Sequence, residues 1–302
     1  MNSAGIIAAG WGERLGQKIP KALTQVAGKA LIDYTLDGFE AAGIQRVTCI
    51  VNEAARAVPE HVAKSSRKLE MDWIIQTTPS SMHSFLIVLE RLANSPSPGL
   101  RPPSPLSRER DIISPSPYLR ETGASSISYS APVPVRYGKG SGDEGEQESF
   151  FITTVDSICP PSAYADFIAT SDLFRNADVS LGVTTFVDDE KPLRVAMRGE
   201  EGTGLMPERV KDNPEAFEIV AMTSHGFASE YVTAGFYRAN PRILKEKEMV
   251  LSRKFTALRQ CLGYLLKYGY RFYGVPLPAV VDVDRPQDIQ TAERFIQETT
   301  CS

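Results

Sequence analysis

Three stretches of this sequence carry the residue types that phosphate chemistry needs. The first is Gly10-Trp11-Gly12-Glu13-Arg14-Leu15-Gly16, which follows the apolar run Gly5-Ile6-Ile7-Ala8-Ala9 without a break. Small residues directly after a strand let the backbone turn tightly, approach a ligand closely and offer N–H groups to phosphate. Arg14 and Lys21 supply positive charge beside that loop. The second stretch, Phe150-Phe151-Ile152-Thr153-Thr154-Val155-Asp156, reads as a buried strand ending in a carboxylate, and in open α/β sheets ligands gather beyond the carboxyl ends of strands. In the third, Ala279-Val280-Val281-Asp282-Val283-Asp284-Arg285-Pro286, alternation puts Asp282 and Asp284 on one face of an extended segment.

Rival glycine motifs fit less well. A dinucleotide-binding turn needs a helix that begins inside the glycine motif, whereas Ile19-Pro20-Lys21 and Val26-Ala27-Gly28-Lys29 intervene before the helical pattern at Leu31. No G-x-x-x-x-G-K-[ST] string is present, which excludes a Walker A loop.

The elements that position these residues are short apolar strands alternating with amphipathic helices. Strands are expected over Gly5–Ala9, Val47–Val51, Trp73–Ile75, Phe150–Val155, Val179–Val187, Val232–Tyr237 and Phe272–Val275. Helical stripes run through Leu31, Leu36, Phe39 and Ala42, through Phe85, Leu86, Leu89 and Leu92, and through Leu258, Cys261, Leu262, Leu265 and Leu266. Ile289, Ala292, Phe295 and Ile296 mark a last helix entered through Pro286. This alternation implies an α/β fold around a mixed, mostly parallel sheet. Residues 94–149 break the pattern with nine of the 21 prolines, twelve serines and a closing acidic patch, so a disordered insertion is expected within a single domain spanning 1–302.

Composition narrows the function classes. The 302 residues carry a formal net charge of −4, which gives no general attraction to nucleic acid. Cys49, Cys159, Cys261 and Cys301 form no C-x-x-C pair and no histidine stands near them at ligand spacing, which argues against structural zinc. The start lacks a cationic signal region and no long apolar run follows, so a soluble cytoplasmic protein without a membrane partner is expected.

Ile7-Ala8-Ala9-Gly10-x-Gly12-x-Arg14-Leu15, then Pro20-Lys21-x-Leu23, Val26-x-Gly28-Lys29, Leu31-Ile32 and Ala42-Gly43-Ile44 resemble the nucleotidyltransferase superfamily, almost continuously over the first fifty residues. That resemblance implies a GT-A-like, Rossmann-related fold, and an enzyme that joins a nucleoside triphosphate to a phosphorylated small molecule, with a sugar phosphate as the expected acceptor, and releases pyrophosphate. It implies that Arg14 contacts the departing pyrophosphate and that Lys21 stabilises charge at the α-phosphate. The nucleotide is expected over Ile7, Ala8, Ala9, Gly10 and Gly12, with Gln76 and the Ser80-Ser81 pair at the base, although the family has a Gly-Thr pair where Ser80-Ser81 stands. Asp156 resembles the family's metal-binding aspartate and Asp282 the one that completes the site; two carboxylates with phosphate oxygens and water suit octahedral Mg²⁺. Asp284 is expected to cap the last helix, with exchange of the two roles as the alternative.

Thr233 and Gly235 resemble the acceptor strand of sugar nucleotidyltransferases, where a glycine lets the substrate lie against the backbone. Glu190-Lys191-Pro192 stands too far from that strand for Lys191 to be the sugar-phosphate ligand, and the Arg14-to-Lys21 spacing is closer to the cytidylyltransferase or cofactor branch. A GT-A glycosyltransferase and an inactive nucleotide-binding scaffold are the other readings.

Overall fold

The computed structural model describes residues 1–95, 148–185, 192–197, 217–223 and 229–300. In chain order the strands are β1 (Ser3–Ala8), β2 (Gln25–Val26), β3 (Lys29–Ala30), β4 (Arg46–Val51), β5 (Glu70–Ile75), β6 (Phe150–Thr154), β7 (Ser157–Ile158), β8 (Val179–Thr184), β9 (Arg194–Met197), β10 (Phe217–Thr223), β11 (Val232–Ala239), β12 (Phe272–Pro276) and β13 (Val281–Asp282). The helices are α1 (Leu31–Ala41), α2 (Ala57–Ala63), α3 (Ser81–Asn94), α4 (Ser162–Asp172), α5 (Lys247–Ser252), α6 (Leu258–Lys267) and α7 (Pro286–Thr300).

Nine strands form one sheet in the order β5-β4-β1-β6-β11-β8-β12-β10-β9. Pairing is parallel through β5, β4, β1 and β6 and again between β8 and β12. It is antiparallel at β6–β11, β11–β8, β12–β10 and β10–β9, so the sheet is mixed, with its continuous parallel run confined to one half. The chain reverses its direction of travel across the sheet at β1, which has β4 on one side and β6 on the other. Such a switch opens a crevice at the carboxyl ends of the strands. The register Ile7↔Thr154 brings the glycine loop after β1 and Asp156 after β6 out side by side.

Alternation along each strand divides the core between two faces. Ala4, Ile6 and Ala8 of β1 join Val47, Phe151 and Phe236 under Leu36 and Phe39 of α1 and Tyr164 and Phe167 of α4. On the other face, Ile7, Ile50, Ile152 and Leu181 meet Phe85, Leu89 and Leu92 of α3 and Leu262 and Leu265 of α6. A third, smaller cluster packs Leu15, Val26, Val281 and Val283 with Ala292 and Phe295 of α7, and so ties the last acidic segment to the loop after β1.

All seven expected strands and all four expected helical stripes are present, with shifted ends. β5 extends back to Glu70, because this edge strand is half-buried on both faces and tolerates Glu70 and Asp72. The strand expected to reach Val187 ends at Thr184, and 186–187 lie outside the described residues. Of the insertion expected over 94–149, residues 96–147 also lie outside them; β5 before it and β6 after it belong to one sheet. Among the described residues no helix is long and apolar enough to cross a membrane.

Candidate active site

Gly10 and its neighbours leave β1 into a short 3-10 turn, Glu13–Leu15, entered by Gly12 at φ 69°. A Cβ on Gly12 would stand 3.0 Å from the Cβ of Lys21, so glycine here serves both the left-handed backbone and the close passage of the lysine stem. Pro20 starts the next 3-10 turn, Lys21–Leu23, which carries Lys21 beneath the glycine loop. Lys21 is 7% exposed, and its ammonium is ion-paired to both Asp156 and Asp284. Burial works against the Lys21 charge, but the two carboxylates outweigh it and hold the group above its usual range. Arg14 donates to the other oxygen of Asp284 at 2.8 Å from an exposed position.

The acidic residues come together through backbone pairing. β13 runs antiparallel to β7 with Asp282 opposite Ser157, and the Val283 amide donates to the Asp156 carbonyl at 3.0 Å. Burial would raise the Asp156 carboxyl; the charge and hydrogen bond of Lys21 bring it below its ordinary value. Asp282 accepts from the Ser157 hydroxyl at 2.7 Å. Burial first, then repulsion from Asp156, pushes its carboxyl up to about 7. Asp284 does not cap α7. Asp288, 1% exposed, accepts from the amides of Asp284 and Arg285 at 2.9 and 2.8 Å and takes over that role, leaving Asp284 to Lys21 and Arg14.

These groups line a cavity of about 440 Å³ that extends from the glycine loop to β11 and α6. Ile7, Ala9, Gly10, Ser80 and Ser81 of the expected nucleotide site line it, as do Arg14, Lys21, Asp156, Asp282, Thr233 and Gly235. Ala8, Gly12 and Gln76 are outside the lining: Ala8 points into the core, Gly12 backs Lys21, and Gln76 is exposed just beyond β5. The Ser80 hydroxyl pairs with His83 Nδ1 at 2.9 Å and caps no first-turn amide of α3, and the Ser81 hydroxyl accepts from the Leu258 amide at the start of α6. The uncapped start of a 14-residue helix at the cavity wall favours an anionic ligand.

Sequence reasoning missed Thr154, Tyr237, Leu258 and Arg259, all in the lining. A pattern of two, counted back from Asp156, marks Thr154; α6 reaches the cavity only through tertiary packing, so Arg259 carries no local signal. Among the described residues no three His, Cys, Asp or Glu side chains gather as a closed metal cage. Asp156 and Asp282 are oxygen donors lining one cavity, a partial donor set whose chemistry would suit a hard divalent cation.

Residues 4–100 match the family model of the MobA-like NTP transferase domain. Over 98–99% of its length the chain superposes on an inositol-1-phosphate CTP transferase from T. maritima (TM-score 0.63, 18% identity, 97% of that chain), a UDP-glucose pyrophosphorylase complexed with UDP-glucose (0.60, 14%, 99%) and a UTP-bound UGPase from Acinetobacter baumannii (0.63, 12%, 93%). The chain shares the fold of these three structures. Two curated relatives match over shorter stretches. A CMP-5'-(3-aminopropyl)phosphonate synthase of Streptomyces rubellomurinus is 30% identical over 83 residues, and a bifunctional protein GlmU of Listeria monocytogenes is 33% identical over 67. Those stretches cover 26% and 22% of this chain and 13% and 15% of the relatives' own lengths.

Proposed function

We propose that the protein transfers a nucleoside monophosphate from an NTP to a phosphorylated or phosphonylated small molecule and releases pyrophosphate. The observation that carries this reading is the buried Lys21 ammonium, held by Asp156 and Asp284 under a glycine loop at the floor of a cavity. In this reaction an acceptor oxygen forms a bond to the α-phosphorus while the bond from that phosphorus to the β-phosphate bridging oxygen breaks. Both reactants are anionic, so the protein must neutralise charge and hold them in line.

Lys21 and Arg14 supply fixed positive charge, the glycine loop and the α3 start supply N–H groups, and Thr233 and Gly235 lie on the acceptor side. Asp156 and Asp282 would hold a divalent ion. Bound there, Mg²⁺ would neutralise phosphate charge and polarise the α-phosphoryl oxygen. Lys21 and Arg14 alone do not offset three carboxylates and a triphosphate, which supports the need for that ion.

The relatives act on CTP and UTP by their names, so these two nucleotides are tried first. The experiment follows pyrophosphate release with Mg²⁺, each NTP in turn, and a panel of sugar 1-phosphates, inositol phosphate and aminoalkylphosphonates. Release that depends on both nucleotide and acceptor supports the proposal. NTP binding without release under every condition would move the reading to a nucleotide-binding scaffold.

A further inference from the structure

We propose that Ser157 is a positioning residue that holds the Asp282 carboxylate, and that position 235 is glycine because only a hydrogen leaves room for this hydroxyl. The proposal rests on the reading of Asp156 and Asp282 as the divalent-ion site.

Asp282 makes no ion pair among the described residues; its side chain accepts a hydrogen bond from Ser157 Oγ at 2.7 Å. Ser157 is 1% exposed, and its hydroxyl also meets Thr154 Oγ1 at 2.9 Å. The three side chains form a line, Thr154 to Ser157 to Asp282, that fixes one carboxylate oxygen and leaves the other for a ligand. A carboxylate so held loses less rotamer freedom when it binds an ion, which is why partners behind the ligands set metal affinity.

Gly235 closes this line from β11. Its φ is +73°, and the β11–β8 register shifts between Thr233 and Tyr237, a bulge that turns the strand over the Asp156 loop. A Cβ built on Gly235 would fall 2.2 Å from Ser157 Oγ and 2.5 Å from Thr154 Oγ1. Those atoms belong to the protein wall. The resemblance assigns this glycine to the approach of substrate; the contacts assign it first to the hydroxyl pair behind Asp282. Thr153 Oγ1 donates to the Gly235 carbonyl at 3.2 Å and locks the bulge onto β6.

The test is an electron paramagnetic resonance titration of the full chain with Mn²⁺, an oxygen-seeking stand-in for Mg²⁺, with and without CTP or UTP. Ser157→Ala should weaken Mn²⁺ binding about ten-fold, while nucleotide affinity in chelator, read from Trp11 fluorescence, stays unchanged. Ser157→Cys keeps the size and loses most of the hydrogen bond, and should behave like Ser157→Ala. Gly235→Ala should also weaken Mn²⁺ binding, and by a smaller factor in the Ser157→Ala background, because the nearest clash is then gone. If Gly235→Ala does not fold, the two Ser157 variants decide. Equal Mn²⁺ affinity in wild type and Ser157→Ala overturns the positioning role and leaves the ion site standing. Absence of Mn²⁺ binding by the wild type in every condition overturns the ion site, and the proposal with it.

Discussion

The backbone amide of Val283 donates to the backbone carbonyl of Asp156 at 3.0 Å, so the two acidic segments are joined by main chain before any side chain is counted. Asp282, at the end of β13, and Asp284, just after it, flank that bond, and their carboxylates go to different partners, Ser157 for the first and Lys21 with Arg14 for the second. Substitutions of these side chains should therefore change chemistry before they change the fold.

Lys21 shows this most directly. Lys21→Met keeps a stem of similar length and removes the charge that two carboxylates share. Turnover should fall at least about a hundred-fold, since a fixed charge at the reacting phosphate acts mainly on the transition state. Higher Mg²⁺ should not restore it. Stability should fall by about 1–3 kcal/mol, because Asp156 loses the one cation it pairs with among the described residues while Asp284 retains Arg14. Pyrophosphate release and urea midpoints measure the two effects.

Gly38→Ala should do the reverse. A Cβ on Gly38 would lie 2.3 Å from two ring carbons of Tyr164, where α1 packs on α4. Alanine gains about 1 kcal/mol of helix propensity over glycine. Overpacking a fully buried ring costs about 1–3 kcal/mol, so the clash wins and the denaturant midpoint should drop. Nucleotide and Mn²⁺ affinities of the folded fraction should match wild type, because Tyr164 faces the sheet side away from the cavity.

Much of this was legible in the sequence because it is local. Strand-then-glycine marks the loop after β1, Pro20-Lys21 marks the turn beneath it, and the 3.6 periodicity finds α1, α3, α6 and α7. α2 was not legible, since it has seven residues with Pro59 inside them, and β9 has only four residues. The role of Asp284 was hidden for a different reason. Its partner Lys21 is 263 positions away, whereas a capping residue is expected beside its helix. The cap comes from Asp288 inside α7 reaching back to two amides, a pattern that the motif Asp284-Arg285-Pro286 does not announce. Gln76 lies outside the cavity lining, exposed just beyond β5 at the edge of the sheet.

Acid stability should depend on Asp37. This carboxylate on α1 accepts from Lys29 and Arg67, and Arg67 also binds Glu40 and Asp33. Burial would raise the Asp37 carboxyl, but the two cations outweigh it and bring it below 3.8. The unfolded chain then binds the proton more tightly than the folded one, so the stabilisation is complete above about 3.8 and is lost as pH falls through the folded value. Urea midpoints from about pH 7 down to about pH 3 should show wild type losing its advantage over Asp37→Asn at the acid end. A constant difference across that range would remove Asp37 from the acid limb.

Asp282→Asn and Asp284→Asn should part company, although the two residues stand only two positions apart. Asp284 already meets two cations, and its charge is spent on Lys21 and Arg14. Asp282 meets a hydroxyl, and repulsion from Asp156 adds to its burial, so it holds the charge that an added cation would satisfy. Asp282→Asn should raise the Mg²⁺ concentration for half-maximal turnover by about 10–100-fold, the scale seen when a metal's supports are disturbed. The metal-free fold should be no less stable, since a neutral amide of the same shape replaces a carboxylate that Asp156 repels and no ion pair among the described residues offsets. Asp284→Asn should leave the Mg²⁺ requirement close to wild type while lowering turnover, because Lys21 and Arg14 lose the anchor that aims them at the phosphates. Steady-state pyrophosphate release over a Mg²⁺ series, with both variants at saturating NTP, separates the patterns. The opposite result, with the Mg²⁺ shift in Asp284→Asn and none in Asp282→Asn, would transfer the ligand role to Asp284 and make the Lys21–Asp284 pair a contact that the bound ion displaces.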